Sequence, residues 1–574
     1  MRNNLTLRKE VMMINGSQMV IEALKAEGIT TVFGYPGGAI MNLYDEIYKE
    51  DSFEHILTRH EQASVHAADG YARASGKVGV AIVTSGPGFT NAVTGLATAY
   101  TDSIPMVVIS GQVPTTLIGT DAFQEIDAVG ISRSCTKHNY LVKNISELAA
   151  ILKEAFYIAR TGRPGPVHID IPKDVTAQMG EFNYSDNISL RTYKPTIKGN
   201  KKQIKKAIDA IKDAKKPLFY LGGGVVLSNS SSEVRAFVEH CGIPVVETLM
   251  ARGVIPFDNN LLLGMVGMHG SYAANIAMSE CDLMIALGPR FDDRVTGKLE
   301  AFASAAKIIH VDIDPSSIGK IVDVDFPIVG DLKNVLDEMN AQSSSIESSR
   351  YENWRELVAK YKALHPQSFT DSDEVIKPQW IIERVGETLG DKAIISTDVG
   401  QHQMWAAQHY PFSFPRQFIT SGGLGTMGFG FPAAMGVKRA KPEKISINFT
   451  GDGSILMNVQ ELMTAVEKDI PVINIILNNN YLGMVRQWQT LFYEQRYAET
   501  DLSVGPNFKM LAESFGGVGY EVSTKEEFDK ALEDAIKADK VAFINVVVNR
   551  LENVLPMVPA GATLYNMILE HKDN

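Results

Sequence analysis

Residues 444–480 read KISINFTGDGSILMNVQELMTAVEKDIPVINIILNNN. KISINFT is an unbroken, β-branched apolar run that stops at Gly451, Asp452, Gly453 and Ser454. PVINIIL is a second such run, and it stops at Asn478, Asn479 and Asn480. Between them NVQELMTAVEKD carries apolar residues at helical spacing. Strand, helix and strand in this order make one βαβ unit, so the two strands lie parallel in one sheet. Asp452 and Asn479 then both stand beyond strand C-termini, where open α/β sheets bind ligands. Two oxygen donors on one rim suit Mg²⁺, which prefers hard oxygens and shares its shell with phosphates. Gly451 and Gly453 let a diphosphate approach the backbone. Asp and Asn also end strands simply as turn residues, so either alone is weak evidence.

The same punctuation recurs along the whole chain. VGVAIVTSGPG (78–88), IPMVVISG (104–111), PLFYLGGG (217–224), DLMIALG (282–288) and KIIHVDID (307–314) are short apolar runs ending in Gly or Asp. Continuous rather than alternating apolarity fits strands buried on both faces. GSQMVIEALKAEG (16–28) and KQIKKAIDAIKDAK (202–215) have helical spacing. The class is therefore α/β, with open and mainly parallel sheets flanked by helices. Polar stretches at 180–201 and 341–350 read as linkers and give domains at 13–180, 190–340 and 365–555. The N-terminal dozen residues are expected to be loosely attached.

Composition excludes several classes. The 574 residues carry 55 Lys and Arg against 67 Asp and Glu, a net charge of −12. That balance argues against a protein held by charge to nucleic acid or to an anionic membrane. No apolar run reaches the roughly 18–20 residues that cross a bilayer. The first residues lack the apolar segment of a secretory signal, so a cytoplasmic enzyme is expected. Cys135, Cys241 and Cys281 are odd in number and far apart, which fits neither a disulfide framework nor a zinc site.

GDG followed some 25 residues later by NN resembles the motif of thiamine-diphosphate enzymes. FGYPGGAI (33–40), RHEQASVHAADGYAR (59–73), TSGPGFTN (84–91), GRPGPVHIDIPKDV (162–175), RFDDR (290–294) and TSGGLGTMGFGFPAAMG (420–436) extend the likeness. Together they resemble the catalytic-subunit family of acetolactate (acetohydroxyacid) synthases over about 13–560. The resemblance implies a pyrimidine-binding domain, a Rossmann-like central domain of the FAD-binding type, and a diphosphate-binding domain. It also implies a site shared between two subunits, hence a homodimer or tetramer, and a separate small regulatory subunit.

Carried over by motif, Asp452, Asn479 and the backbone carbonyl of Tyr481 hold Mg²⁺. An acidic residue is usual where Tyr481 stands, and a backbone ligand tolerates the change. Gly400, Gln401, His402, Gly451, Gly453 and Ser454 lie against the diphosphate. Met427 resembles the wedge that bends the cofactor, and Gly425 offers it a carbonyl. Pro36, Gly37, Gly86 and Asn91 belong to first-domain motifs that meet the cofactor. Glu61 is the acid that bonds the pyrimidine ring and starts the chemistry. By position alone, Glu61 would only favour a helix N-terminus.

The central motifs resemble a structural FAD site, lined by Gly222, Gly223, Gly224, Thr248, Leu249, Met268, His269, Arg290, Asp292, Arg294 and Asp331, with Arg163 reaching it from the first domain. Arg290 also suits the carboxylate of a second ketoacid, because a guanidinium can bind it with two parallel hydrogen bonds. Trp488 resembles the residue that favours 2-ketobutyrate over pyruvate as the second substrate. Phe123, Gln124, Lys173 and Met484 would surround the intermediate, with Gln124 and Lys173 among the catalytic residues. A tryptophan is otherwise more often core, and a loop lysine is more often merely solvated. The implied reaction decarboxylates pyruvate and joins the remaining two-carbon unit to pyruvate or 2-ketobutyrate, for branched-chain amino-acid synthesis. A pyruvate oxidase of the same fold is the alternative; RFDDR and Trp488 argue against it.

Overall fold

The computed structural model describes residues 12–185, 188 and 190–570. Residues 1–11 of the segment expected to be loosely attached lie outside the described residues, while Met12 opens a strand. The chain divides into two compact units, 1–194 and 195–574.

In the first unit the apolar runs expected at 78–88 and 104–111 become β3 and β4 of a sheet of six parallel strands: β1 (Thr31–Gly34), β2 (Glu54–Leu57), β3 (Gly79–Val83), β4 (Met106–Gln112), β5 (His138–Leu141) and β6 (Pro166–Pro172). Their order across the sheet is β2-β1-β3-β4-β6-β5. β3, β4 and β6 are buried along their whole length, as continuous Val and Ile runs require. Helices Gly16–Ala26 and Ile145–Arg160 supply Met19, Leu24, Leu152 and Phe156 to the core on this sheet. Part of the expected linker 180–201 is regular structure: Met179–Phe182 pairs antiparallel with Met12–Asn15.

The second unit contains two sheets. The first has β7 (Pro217–Leu221), β8 (Val245–Glu247), β9 (Leu262–Met265), β10 (Leu283–Leu287), β11 (Lys307–Asp312) and β12 (Phe326–Val329). Its order is β9-β8-β7-β10-β11-β12, the dinucleotide-fold arrangement whose crevice opens between β7 and β10. The second has β13 (Ala393–Thr397), β14 (Phe418–Ile419), β15 (Ile445–Thr450), β16 (Val472–Asn478), β17 (Val518–Val522) and β18 (Ala542–Val547). Its order, β14-β13-β15-β16-β18-β17, repeats that of the first unit strand for strand.

β15 and β16 are parallel with Ser446 opposite Val472, as the opening stretch of sequence requires. The connecting helix is shorter than expected. Asp452–Ile455 is one turn, Leu456–Asn458 is 3₁₀, and only Glu461–Glu467 follows as α-helix. Gly453 and Asn458 are poor helix formers, which leaves the first turns broken. The expected linker at 341–350 also differs: it forms 3₁₀ turns, and Ile346 with Tyr351 joins the core beneath β7 and β8. Among the described residues no helix is long and apolar enough to cross a membrane.

Candidate functional site

The sequence-expected residues, Arg163 apart, fall into three clusters at strand C-termini; Arg163 stands before β6, at the N-terminal edge of its sheet. In the first unit β1 and β3 flank the point where strand order reverses, and the chain turns there at Pro36–Gly37 and Thr84–Gly86. Glu61 is the first residue of helix Glu61–Ser75 and is 8% exposed. His60 caps that helix by accepting from the Gln62 amide, so the chain enters with Glu61 turned inward. Asn91, on helix Pro87–Thr101, donates to Glu61 Oε2 at 2.9 Å. A Cβ on Gly88 would stand 3.3 Å from Glu61 Oε1, so backbone lies close against the carboxylate. Thr84 Oγ1 and Ser85 Oγ are buried beside this turn with no hydrogen-bond partner among the described residues.

Gly86 precedes that helix with φ 55, a conformation L side chains rarely adopt. A Cβ there would lie 2.8 Å from the Gln124 carbonyl oxygen, so Gly86 and Gln124 are in backbone contact. Gln124 itself has φ 60. Phe123, next to it, is 87% exposed. Lys173 opens the helix Lys173–Ala177, and its carbonyl accepts from Asn42. Arg163 donates from Nε to Ser103 Oγ at 2.8 Å.

The second cluster lies on the β13–β15–β16 rim. Asp452 is buried, and its Oδ2 has no partner among the described residues. Burial pushes its carboxyl up to about 7, although the amides of Gly453 and Asn480 face it. A buried carboxylate with one oxygen left without a partner is costly, and a cation with further oxygen donors would relieve it. Asn479 stands beside it at the end of β16 and donates to Gln401 Oε1 at 3.2 Å. Gln401 donates in turn to Gln487 Oε1 and to the Glu552 carbonyl, each at 2.9 Å.

His402 is buried with Nε2 unpartnered among the described residues, and desolvation drives its ring down to about 3, so it is neutral. Its ring packs under Gly451, whose Cβ would lie 3.2 Å from Nδ1. Ser454 donates to the Val399 carbonyl. The Met427 methyl lies about 4.0 Å from where a Gly453 Cβ would be, which places its side chain over the rim. Gly425, at φ 73, is exposed above it. Orphaned donors and acceptors, a neutral imidazole and open glycine backbone are what a cation-bound diphosphate needs.

The third cluster gathers at the C-terminal edge of β7–β12. Gly222 abuts the next crossover so closely that a Cβ would lie 2.3 Å from Pro289 Cα. The Gly224 amide donates to the Gly288 carbonyl at 3.1 Å, and Gly223 faces Met250. Thr248 and Leu249 follow β8, and Thr248 Oγ1 is buried without a partner among the described residues. Met268 donates to the Arg294 carbonyl at 2.7 Å, and His269 pairs with the Pro556 carbonyl. Arg290 and Asp292 form an ion pair. Asp331 instead caps helix Leu332–Gln342.

Trp488 belongs to this neighbourhood: the Arg294 guanidinium lies 5.9 Å from its ring centroid. Met484, a turn earlier on helix Gly483–Phe492, packs against the core of the last sheet.

Sequence reasoning missed two polar networks. In the first unit Asp170 accepts from Ser110 and Gln112, and His168 lies between Ser110 and Ser132. In the second, Arg486 and Gln487 bind the 552–554 segment. Paired polar residues inside apolar runs, HID in PVHIDIP and RQ in GMVRQWQ, were the available signal.

Three family models match the chain. The thiamine pyrophosphate enzyme N-terminal TPP binding domain covers 14–131, the central domain 204–339 and the C-terminal TPP binding domain 398–546. The acetolactate synthase large subunit of Haemophilus influenzae is 49% identical over 97% of this chain and 98% of its own length. The probable acetolactate synthase large subunit of Methanocaldococcus jannaschii is 50% identical over 97% and 95%. The isozyme 3 large subunit of Escherichia coli is 46% identical over 97% and 99%.

Proposed function

The chain belongs to the acetolactate synthase large-subunit family of thiamine pyrophosphate enzymes, and we propose that it decarboxylates pyruvate and joins the two-carbon remainder to a second 2-ketoacid. The second acid is pyruvate or 2-ketobutyrate, and the products are 2-acetolactate and 2-aceto-2-hydroxybutyrate. One observation carries the reading: the buried Asp452 carboxylate, whose Oδ2 has no partner among the described residues, shares a strand rim with Asn479 and Gln401.

Thiamine diphosphate, when bound, supplies the electron sink for loss of CO₂. Asp452, Asn479 and the Tyr481 carbonyl would hold Mg²⁺, which neutralises the diphosphate. Gln401 and neutral His402 would position it, with Met427 and Gly425 against its rings. Glu61, fixed by Asn91, would exchange a proton with a pyrimidine ring nitrogen. Pro36, Gly37 and Gly86 shape the backbone around that ring. Arg290 would hold the second acid's carboxylate, and Trp488 would form the wall that meets its extra methyl group. Gln124, Phe123, Lys173 and Met484 would close around the reacting carbons.

The crevice between β7 and β10, with Gly222–Gly224 at its floor, suits FAD in a structural role. The active unit would be a homodimer or tetramer with shared sites. The relatives' designation as large subunits supports a small regulatory partner. The chain would work in the cytoplasm.

The test is product formation from pyruvate plus 2-ketobutyrate with thiamine diphosphate, Mg²⁺ and FAD, without oxygen. Acetohydroxybutyrate in excess over acetolactate is expected. Acetate and CO₂, formed only with an electron acceptor, would instead mark an oxidase.

A further inference from the structure

Helix Gly483–Phe492 carries Trp488 but has little of its own to fix it. Leu482 gives it no side-chain cap, and its first turn holds no acidic residue. Helix ends without caps are held by tertiary contacts. Here Gln487 supplies them. It is fully buried, donates from Nε2 to the Val554 carbonyl at 3.0 Å, and accepts from the Val554 amide at 2.8 Å. The same Oε1 accepts from Gln401 at 2.9 Å, and Gln401 accepts from Asn479.

Arg486 adds a second tie to this segment. It is 1% exposed and donates to Asn553 Oδ1 at 2.8 Å and to the Glu552 carbonyl at 2.6 Å. The Glu552 carbonyl also accepts from Gln401. Close approach completes the joint: a Cβ on Gly483 would overlap Gln401 Oε1 and lie 2.7 Å from Asn479 Nδ2. One continuous amide network therefore runs from Asn479 on the cofactor rim to the residue beside Trp488.

We propose that Gln487 is a positioning residue for selection of the second ketoacid, fastening the Trp488 helix to Gln401 and to Val554. The inference rests on the pocket role given to Trp488 above. With Gln487 bound on both sides, the pocket wall is set by the same amides that meet the cofactor. Loading the rim and shaping the pocket are then one event. The side-chain amides of Asn479, Gln401 and Gln487 are all hydrogen-bonded, while Arg486 Nε has no partner among the described residues, and a satisfied amide network of this kind gives specificity.

The test uses the full-length protein, with Gln487→Met to remove the contacts at nearly constant shape and Gln487→Glu to keep both acceptor contacts. Competition between pyruvate and 2-ketobutyrate gives the specificity ratio, and fluorescence titration gives thiamine diphosphate affinity. Gln487→Met is expected to lower the ratio by about threefold to tenfold, short of the roughly 10- to 200-fold available from a whole methylene contact. It should also weaken cofactor binding, while Gln487→Glu changes the ratio less. If Gln487→Met does not fold, Gln487→Glu decides: it loses the Nε2 bond to the Val554 carbonyl and sets a carboxylate oxygen against that carbonyl, so a ratio equal to wild type overturns the proposal, and a shifted one supports it. Trp488→Leu separates the two claims. A ratio moved by Trp488→Leu but by neither Gln487 variant removes the positioning role alone. A ratio that Trp488→Leu leaves unmoved removes the pocket reading, and the inference with it.

Discussion

Asn91 donates its side-chain amide to the Glu61 carboxylate at 2.9 Å, from the second turn of one helix to the first residue of another. The bond fixes where an acid at a helix start points, which the helix alone leaves free.

Glu61→Gln keeps this shape and removes the acid. Exchange of the thiazolium C2 proton in bound thiamine diphosphate should slow by about 10²- to 10⁴-fold, the usual worth of a positioned acid–base group. Asn91→Ala leaves the acid but frees its orientation, so a smaller loss is expected. Exchange at the wild-type rate in Glu61→Gln would take the acid role away from Glu61.

Gly86→Ala tests the contact with the Gln124 loop. The new methyl would meet the Gln124 carbonyl at 2.8 Å from a backbone at φ 55. Strain of this kind costs on the order of 1–3 kcal/mol. The melting temperature should fall, and carboligation should fall further than stability does, because Gln124 moves with the clash. A variant as stable and active as wild type would show that the loop yields freely.

Much of this was legible in the sequence because parallel sheets write themselves as continuous apolar runs closed by Gly, Asp or Asn. β15 and β16 with Asp452 and Asn479 at their ends could be read directly. Strand order could not, since pairing among parallel strands depends on crossovers that leave no local signal. The 341–350 stretch misled for a related reason: five serines look like solvent, yet Ile346 and Tyr351 between and after them reach the core. Asp170 and His168 were hidden inside PVHIDIP, where alternation puts both on one face of a strand buried on both sides.

Asp170 gives the pH dependence a definite sign. Burial pushes its carboxyl from near 3.8 up to about 7 against the bonds from Ser110 and Gln112. The folded chain therefore holds this proton more tightly than the unfolded one. Its stabilising effect is complete below 3.8 and is lost as pH rises through 7. In the limit that loss is on the order of 4 kcal/mol. Thermal melts from pH 4 to 8 should show wild type losing ground to Asp170→Asn across that window. A constant offset between the two would mean that Asp170 does not titrate there.

Asp452 should show opposite effects with and without a divalent cation. Its Oδ2 is buried with no partner among the described residues, so the cation-free chain carries an uncompensated polar atom there. Asp452→Asn removes the charge at the same shape and, above pH 7, where the carboxyl is ionised, should stabilise that form by about 1–3 kcal/mol. Adding Mg²⁺ with thiamine diphosphate reverses the order. Ligand that binds only the folded state adds about 2.7 kcal/mol at a hundredfold excess over its Kd, and the variant forfeits most of it. Melting curves of both proteins, with chelator and with Mg²⁺ plus cofactor, should therefore cross. A variant less stable than wild type under both conditions would make Asp452 an ordinary structural acid. Equal stabilisation of both by Mg²⁺ would place the cation elsewhere.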